Sequence, residues 1–323
     1  MALQAQPPPA WLRETGRAGD IVLSTRRRVM RNLRGHRFPH LADQAELTEI
    51  QTKVLSARHE MEAHRTLTNA ERDYLVGCRL ISPEFAWTDF GRSLLLDDAR
   101  VVSVMVNEED HLRFQGVVAG WAPEAVAESV QKCVDRLGSL LPYAWMSEWG
   151  YLAASPANAG DGIRHSAMFH LIGLAQSHRL PSVIHALADK GMVVRGLFGE
   201  SSRAVGAFIQ VSILRNVESA FVGACEYLIE EERSARRELE STQIREQIHR
   251  ARDFAIGNRT LSLADAVRIL AWIRWAAEMR EPGFPSQLRE VDRCLTRLEI
   301  HPTLGEAIVG RQRADRLRAL LES

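Results

Sequence analysis

Arginines spaced two apart are the first chemistry this 323-residue chain offers. In "DIVLSTRRRVM" an apolar lead-in suits a strand, so Arg26 and Arg28 share a face while Arg27 points away. Arg113 ends the stretch "VVSVMVNEEDHLR", Arg164 follows the loop-like "GYLAASPANAGDGI", and Arg195 ends "MVVR". Guanidinium forks gathered in this way bind phosphate oxygens bidentately. Taken singly, each reads first as an ordinary solvated or ion-paired surface arginine. The second cluster is acidic. Val-rich residues 101–106 suit a buried strand that runs into Asn107, Glu108, Glu109, Asp110, His111 and Arg113. If the chain stays extended, Glu109, His111 and Arg113 share a face. That is a solvated strand end or half of a site built from opposite charges.

The elements that carry these residues read as an α/β chain. "PEAVAESVQKCVDRLGSLL" (123–141) is an amphipathic helix with Val126, Val130, Cys133, Val134, Leu137 and Leu141 on one stripe. Residues 150–164 read as a loop, residues 191–202 as a short strand and a glycine-bearing turn, and residues from about 217 to 250 as a long charge-rich helical stretch. The last seventy residues or so are helical, with Ser262 and Asp265 as a capping box. The helix carrying Val267, Ile269, Leu270, Trp272, Ile273 and Trp275 is apolar nearly all round, which demands cover from neighbours or from a second subunit. The expected organisation is a mobile arm over 1–19 containing "QPPPA", an α/β domain over 20–254 and a small helical domain over 255–323.

Composition excludes several function classes. Lys plus Arg and Asp plus Glu each number 41, so the formal charge is zero, which argues against nucleic acid as the partner despite the basic run "STRRRVMRNLRGHRF". Only Lys53, Lys132 and Lys190 are lysines. No apolar run is long enough to span a membrane, and the first residues lack a secretory pattern. Four separated cysteines fit a reducing cytoplasm without a disulfide framework or zinc site. No P-loop, no protein-kinase signature and no GxGxxG after a strand is present, and no HExxH or cysteine cluster points to a protein-held metal.

Read together, "DIVLSTRRRVMRNL", "LISPEFA", "VNEEDHLRFQ", "GYLAASPANAGDGIRHSAMFHL" and "RGLFGESS" follow the order and wording of one family. Over nearly its whole length the chain resembles the ATP:guanido phosphotransferases, and within them the bacterial protein-arginine kinases. The resemblance implies an antiparallel sheet flanked by helices, followed by a helical domain. It also implies ATP as substrate, with Mg²⁺ carried mainly on the phosphate oxygens and no metal held by the protein. On that pattern Ser24, Arg26, Arg28, Arg113, Arg164 and Arg195 hold the ATP phosphates. Thr25, Arg27, Arg79, His165, Ser166, Ala167, Met168, Gly196, Leu197, Phe198 and Gly199 neighbour the nucleotide. Glu109 of NEEDH and Glu200 of RGxxGE orient the guanidinium and take its proton. A carboxylate pair suits that task because free arginine titrates near 12.5–13.8, so full prior deprotonation near pH 7 costs about 8 kcal/mol.

Several positions depart from the family. Arg79 stands where a histidine precedes LISP, and Ser155 replaces the active-site cysteine, which removes any thiolate chemistry there. Ser212, Ile213 and Leu214 replace the usual Ser-Asn-Gln. In "RADRLRA" (313–319), Asp315, Arg318 and Ala319 match the RDxxRA motif that reads phosphoarginine, but Ala314 replaces its first arginine. Nineteen residues precede Asp20, too few for the lid domain of the small-guanidine kinases, so the resemblance implies arginine residues of proteins as substrate. It also implies a homodimer, an activator protein and a Clp-type protease as partners in protein quality control. The rival readings are a kinase for free arginine or another small guanidino compound, and a non-catalytic dimeric adaptor binding ATP or phosphoarginine.

Overall fold

The computed structural model describes residues 3–87, 90–197, 205–213, 218–298 and 304–322. In chain order the first half contains β1 (Val22–Arg31), α1 (Gln44–Ala57), β2 (Glu62–His64), α2 (Asn69–Gly77), α3 (Pro83–Ala86), β3 (Ser93–Leu96), β4 (Val102–Val106), β5 (Leu112–Ala119) and α4 (Pro123–Gly138). A small hairpin, β6 (Trp145–Met146) and β7 (Gly150–Tyr151), follows. Next come β8 (Ile163–His170), α5 (Ile172–Gln176), α6 (Leu180–Asp189), β9 (Met192–Gly196) and β10 (Phe208–Ile213). The chain closes with α7 (Glu218–Glu238), α8 (Ser241–Gly257), α9 (Leu263–Met279), α10 (Leu288–Leu295) and α11 (Glu306–Glu322).

Eight strands form one antiparallel sheet in the order β2-β3-β4-β5-β1-β8-β10-β9. Alternation along the strands sorts their side chains into two layers. On one face, Val29, Val104 and Phe114 pack under α1 and α4, and Ala167, Phe169, Ile209 and Val211 pack under α6 and α7. The close approach of α4 requires Gly116, where a Cβ would stand 2.5 Å from Val130. On the other face, Leu94, Leu96, Met105 and Val117 meet α2, α3 and the N-terminal segment. Leu23, Met168 and Phe208 on that face meet α8, α9 and α11. Between these two apolar blocks the strand centres carry polar side chains.

Three expectations are corrected. The first nineteen residues are not a mobile arm: Leu3, Trp11 and Leu12 are buried, and the Trp11 indole donates to the Cys78 carbonyl at 3.0 Å. An apolar trio fixed this way favours a packed segment over a solvated one. The charge-rich stretch is two helices, α7 and α8, and the boundary at 255 falls inside α8. Nor do the last helices form a separate body, because α9 shares a core with β1, β8 and β10. The nearly all-apolar α9 therefore finds its cover in the sheet and its helical neighbours. It starts as read, with the Ser262 hydroxyl accepting from the Asp265 N–H at 3.1 Å. A buried ionic knot fastens this layer to β1: Asp292 accepts from Arg274 and Arg289, each at 2.8 Å. Arg274 also donates to the carbonyls of Gly19 (2.6 Å) and Asp20 (2.5 Å), and Arg289 to that of Leu23 (3.1 Å). Among the described residues no helix is long and apolar enough to cross a membrane.

Candidate active site

Strand register assembles the arginines. On β1, Ser24, Arg26 and Arg28 face the polar strip, opposite Met168, Ser166 and Arg164 of β8. Across the other edge, Arg28 and Met30 oppose Gln115 and Arg113 of β5, while Gln210 of β10 joins Met168 on one side to Arg195 of β9 on the other. Arg26 is aimed by Ser166 Oγ at 2.9 Å and Gln210 Oε1 at 3.0 Å. Arg79 leaves α2 in a left-handed turn (φ 60°), lies 5.6 Å from the Trp11 ring, and accepts a bond from Gln115 at its carbonyl.

So many like charges are costly together. Burial, then Arg28, Arg113, Arg79 and Arg195, push Arg26 well below the ordinary arginine value. Burial, then Arg113 and Arg164, bring Arg28 down to about 9, and burial lowers Arg79 to about 10. Like charges set directly opposite on paired strands, as Arg28 and Arg164 are, oppose folding. Arg28 Nε, Arg113 Nε and Arg164 Nη1 are buried without a hydrogen-bond partner among the described residues. Buried donors left open around one strip fit a polyanion with many acceptor oxygens.

Not every expected neighbour faces this strip. Thr25 bonds the Gly120 carbonyl at 2.6 Å, Arg27 approaches Glu218 at 3.7 Å, His165 packs 5.6 Å from the Phe221 ring, and Ala167 lies in the core under α7. Strand alternation turns these four side chains to the opposite face, away from the strip that carries Arg26 and Arg28. Met168 and Leu197 pack toward the C-terminal helices, and Gly196 ends β9. Phe198, Gly199, Glu200 and Leu214 lie outside the described residues. Arg318 bonds Asp315 and the Asn258 carbonyl, and Ala314 is fully buried, as on an ordinary packed helix face.

The acidic cluster is not an extended strand. Asn107 turns left-handed (φ 55°) and its N–H bonds the His111 carbonyl at 3.0 Å, closing a loop between β4 and β5. This loop separates the carboxylates by task. Glu108 is buried and grips Arg113 at 2.5 Å and Ser82 Oγ at 2.6 Å. Burial pushes its carboxyl up, but Arg113 and Ser82 hold it below the usual range. Asp110 takes Asn32 Nδ2 at 2.6 Å and the Ala154 N–H at 2.7 Å. His111 accepts from the Leu33 N–H at 3.0 Å and lies 2.8 Å from the Arg37 carbonyl, so it is a neutral Nε2–H brace, and burial lowers it to about 4. Only Glu109 of the three carboxylates is exposed. Burial of part of its surface, then Asp110 and Glu108, raise its carboxyl, while Arg113 and Arg28 pull the other way.

Asn158 is a site residue that sequence reasoning missed. Its Nδ2 donates to Glu109 at 3.3 Å and its Oδ1 accepts from Arg164 Nε at 3.1 Å, so one amide aligns a carboxylate with a guanidinium. Its place at the end of "SPAN" was the available signal. Ser155 starts the same turn, accepting the Asn158 N–H at 2.8 Å through its carbonyl. The arrangement is an anion cradle of guanidinium groups with an exposed carboxylate at its rim. It can hold a polyphosphate and, beside it, a cationic acceptor.

The chain is similar to known proteins in sequence and in fold. The sequence profile of the ATP:guanido phosphotransferase C-terminal catalytic domain matches residues 44–230, more than half of the chain. A protein-arginine kinase of Halothermothrix orenii is 33% identical over 290 residues, covering 83% of this chain and 82% of the relative. One of Brevibacillus brevis is 34% identical over 289 residues, covering 83% and 81%. Among solved structures, lombricine kinase superposes with a TM-score of 0.60 at 21% identity, over 73% of each chain. The duplicated taurocyamine kinase of Schistosoma mansoni gives 0.61 at 20% identity, over 71% of this chain and 36% of that one. At those identities the structural likeness concerns the fold, an antiparallel sheet flanked by helices.

Proposed function

The chain belongs to the ATP:guanido phosphotransferase family, and from that premise we propose that it transfers the γ-phosphoryl group of ATP to the guanidinium of arginine residues in proteins. The observation that carries this reading is the pairing, around the central strand β1, of a guanidinium cradle with the exposed carboxylate of Glu109. The names of the relatives point to protein arginine as acceptor.

In this reading MgATP enters as substrate, its phosphate oxygens taken by Arg26, Arg28, Arg113, Arg164 and Arg195. The guanidinium groups neutralise charge on the phosphoryl group during transfer, which is where such enzymes gain most of their rate. Glu109 orients the incoming guanidinium so that one nitrogen faces the γ-phosphorus. Glu200, carried over from the family motif, completes the pair. Proton removal accompanies attack, because a free neutral guanidine is too scarce near pH 7. With this reading go the partners of the family resemblance: substrate proteins, an activator protein, a Clp-type protease and a second copy of the chain. Four free cysteines suit a cytoplasmic setting.

The test incubates the protein with MgATP and either casein or free arginine, and follows the acid-labile P–N bond by phosphorus NMR, with Glu109→Gln as control. Phosphoarginine on casein, lost in the variant, is the expected result. Product on free arginine alone overturns the protein substrate, and no P–N product on either overturns the kinase.

A further inference from the structure

The β6–β7 hairpin is the one element near Glu109 whose role the phosphoryl transfer leaves open. Its base is clamped to the site. The Ala144 N–H bonds the Asn32 carbonyl at 2.7 Å, and the Leu152 N–H bonds the Ala144 carbonyl at 3.0 Å. Asn32 Nδ2 reaches both the Leu152 carbonyl at 3.0 Å and Asp110 Oδ1 at 2.6 Å. Asp110 directly follows Glu109, so the hairpin grows out of the wall that would receive the acceptor guanidinium.

The hairpin is also stiff. Tyr151 and Gly160 exchange backbone bonds at 2.7 and 3.0 Å, and the Arg31 guanidinium lies 3.5 Å over the Tyr151 ring. The Tyr143 hydroxyl donates to the Val134 carbonyl at 2.8 Å. Gly150 (φ 70°) lets the two backbones meet, since a Cβ there would stand 2.7 Å from the Gly160 oxygen. Outward from this pinned base the hairpin presents Trp145, Met146 and Trp149, which are 51%, 46% and 65% exposed. Large apolar side chains on a stiff, solvent-facing element lose little conformational freedom on binding, and such patches mark interaction surfaces. Glu148 is the only charged residue from 142 to 160, so the surface suits neutral, apolar contacts.

Resting on the kinase reading above, we propose that Trp145, Met146 and Trp149 form the docking platform for apolar side chains flanking the target arginine of an extended polypeptide. The placement agrees with this occupant, because Asn32 Nδ2 ties the end of the hairpin at Leu152 to Asp110, the residue after Glu109. Free arginine has nothing to place there, whereas a polypeptide with exposed apolar residues does.

The test uses two arginine peptides that differ only at two to four positions on either side of the arginine, carrying Leu and Phe in one and Gly and Ser in the other, with casein alongside. Initial rates of phosphoarginine formation are compared for the wild-type protein, Trp145→Ser/Trp149→Ser, and Trp145→Phe/Trp149→Phe. The expected result is a preference of about tenfold or more in kcat/KM for the apolar peptide. The serine variant abolishes that preference at an unchanged rate on the polar peptide, and the phenylalanine variant largely restores it. A wild-type protein without preference overturns the proposal. So does a serine variant that keeps the preference, or one that slows both peptides alike. A change in association state by light scattering, with the preference intact, assigns the patch to a second copy of the chain and also overturns it. Casein phosphorylated without flank preference defeats only the docking surface, whereas phosphorylation of neither casein nor peptide defeats the kinase reading.

Discussion

Replacing Arg28 by Met should make the nucleotide-free protein more stable while abolishing its stabilisation by ATP. Arg28 stands opposite Arg164 and within range of Arg113. Its depression to about 9 is a fall of roughly three pH units or more, or about 4–5 kcal/mol of opposition to the charged form. Solvent reaches part of the side chain, so about 2–4 kcal/mol is the recoverable share. Methionine keeps most of the aliphatic stem and removes both the charge and the open Nε donor. For a chain of this length the gain corresponds to about 3–6 °C in apparent Tm. The sign follows from the direction of the fall. Below about 9 both folded and unfolded chains carry the charge and the penalty is complete, and above it the folded protein sheds the proton and the penalty fades. The stability gap between variant and wild type should therefore be flat at neutral pH and narrow in alkaline buffer. Thermal unfolding with and without saturating MgATP measures both halves. An Arg28→Met protein that melts below wild type without nucleotide, or that keeps the wild-type shift with ATP, refutes the reasoning.

Three further outcomes are expected. Turnover should fall on acidification with a midpoint above the ordinary glutamate value, because burial and its acidic neighbours raise Glu109; a pH–rate profile checks this, and Glu109→Gln should run about 10²–10⁴-fold slower and lack that limb. Iodoacetamide at neutral pH should leave activity intact, since Ser155 replaces the family cysteine, Cys78, Cys225 and Cys294 are buried, and burial raises Cys78 to about 11 and Cys133 and Cys294 to about 12. Asp292→Asn should lower stability by about 3–5 kcal/mol in denaturant unfolding, because it leaves Arg274 and Arg289 buried without their carboxylate.

The arginine face was partly legible in the sequence because a period of two is a local property of strands: Arg26, Arg28 and Arg195 occupy strands read there, whereas Arg164, read at the end of a loop, and Arg113, read on one extended run with the acidic residues, stand on β8 and β5. The acidic loop was not, since the bend at Asn107 is held by distant partners, the carbonyls of Leu47 and Gly91. Extended geometry was the natural local reading, and the loop's division of Glu108, Glu109 and Asp110 into three tasks depends on Ser82, Asn32 and Ala154 far along the chain. Trp11 likewise gives no local sign that it supports Arg79. The nucleotide-neighbour assignments for Thr25, Arg27, His165 and Ala167 failed for a simpler reason: adjacency in sequence to a site residue places a strand residue on the wrong face.

The central place of β1 has a consequence in time. Its two neighbours come from residues 112–119 and 163–170, and Gln210, which aims Arg26, lies on β10. Contacts this distant in sequence form slowly. A growing chain thus carries Arg26 and Arg28 from its first moments but gains the cradle only after about two-thirds of its length has been synthesised, at the N-terminal-first pace of ribosomal elongation. On the kinase reading, nucleotide capture follows closure of the sheet, and a chain that stops short of β10 does not yet hold the assembled arginines.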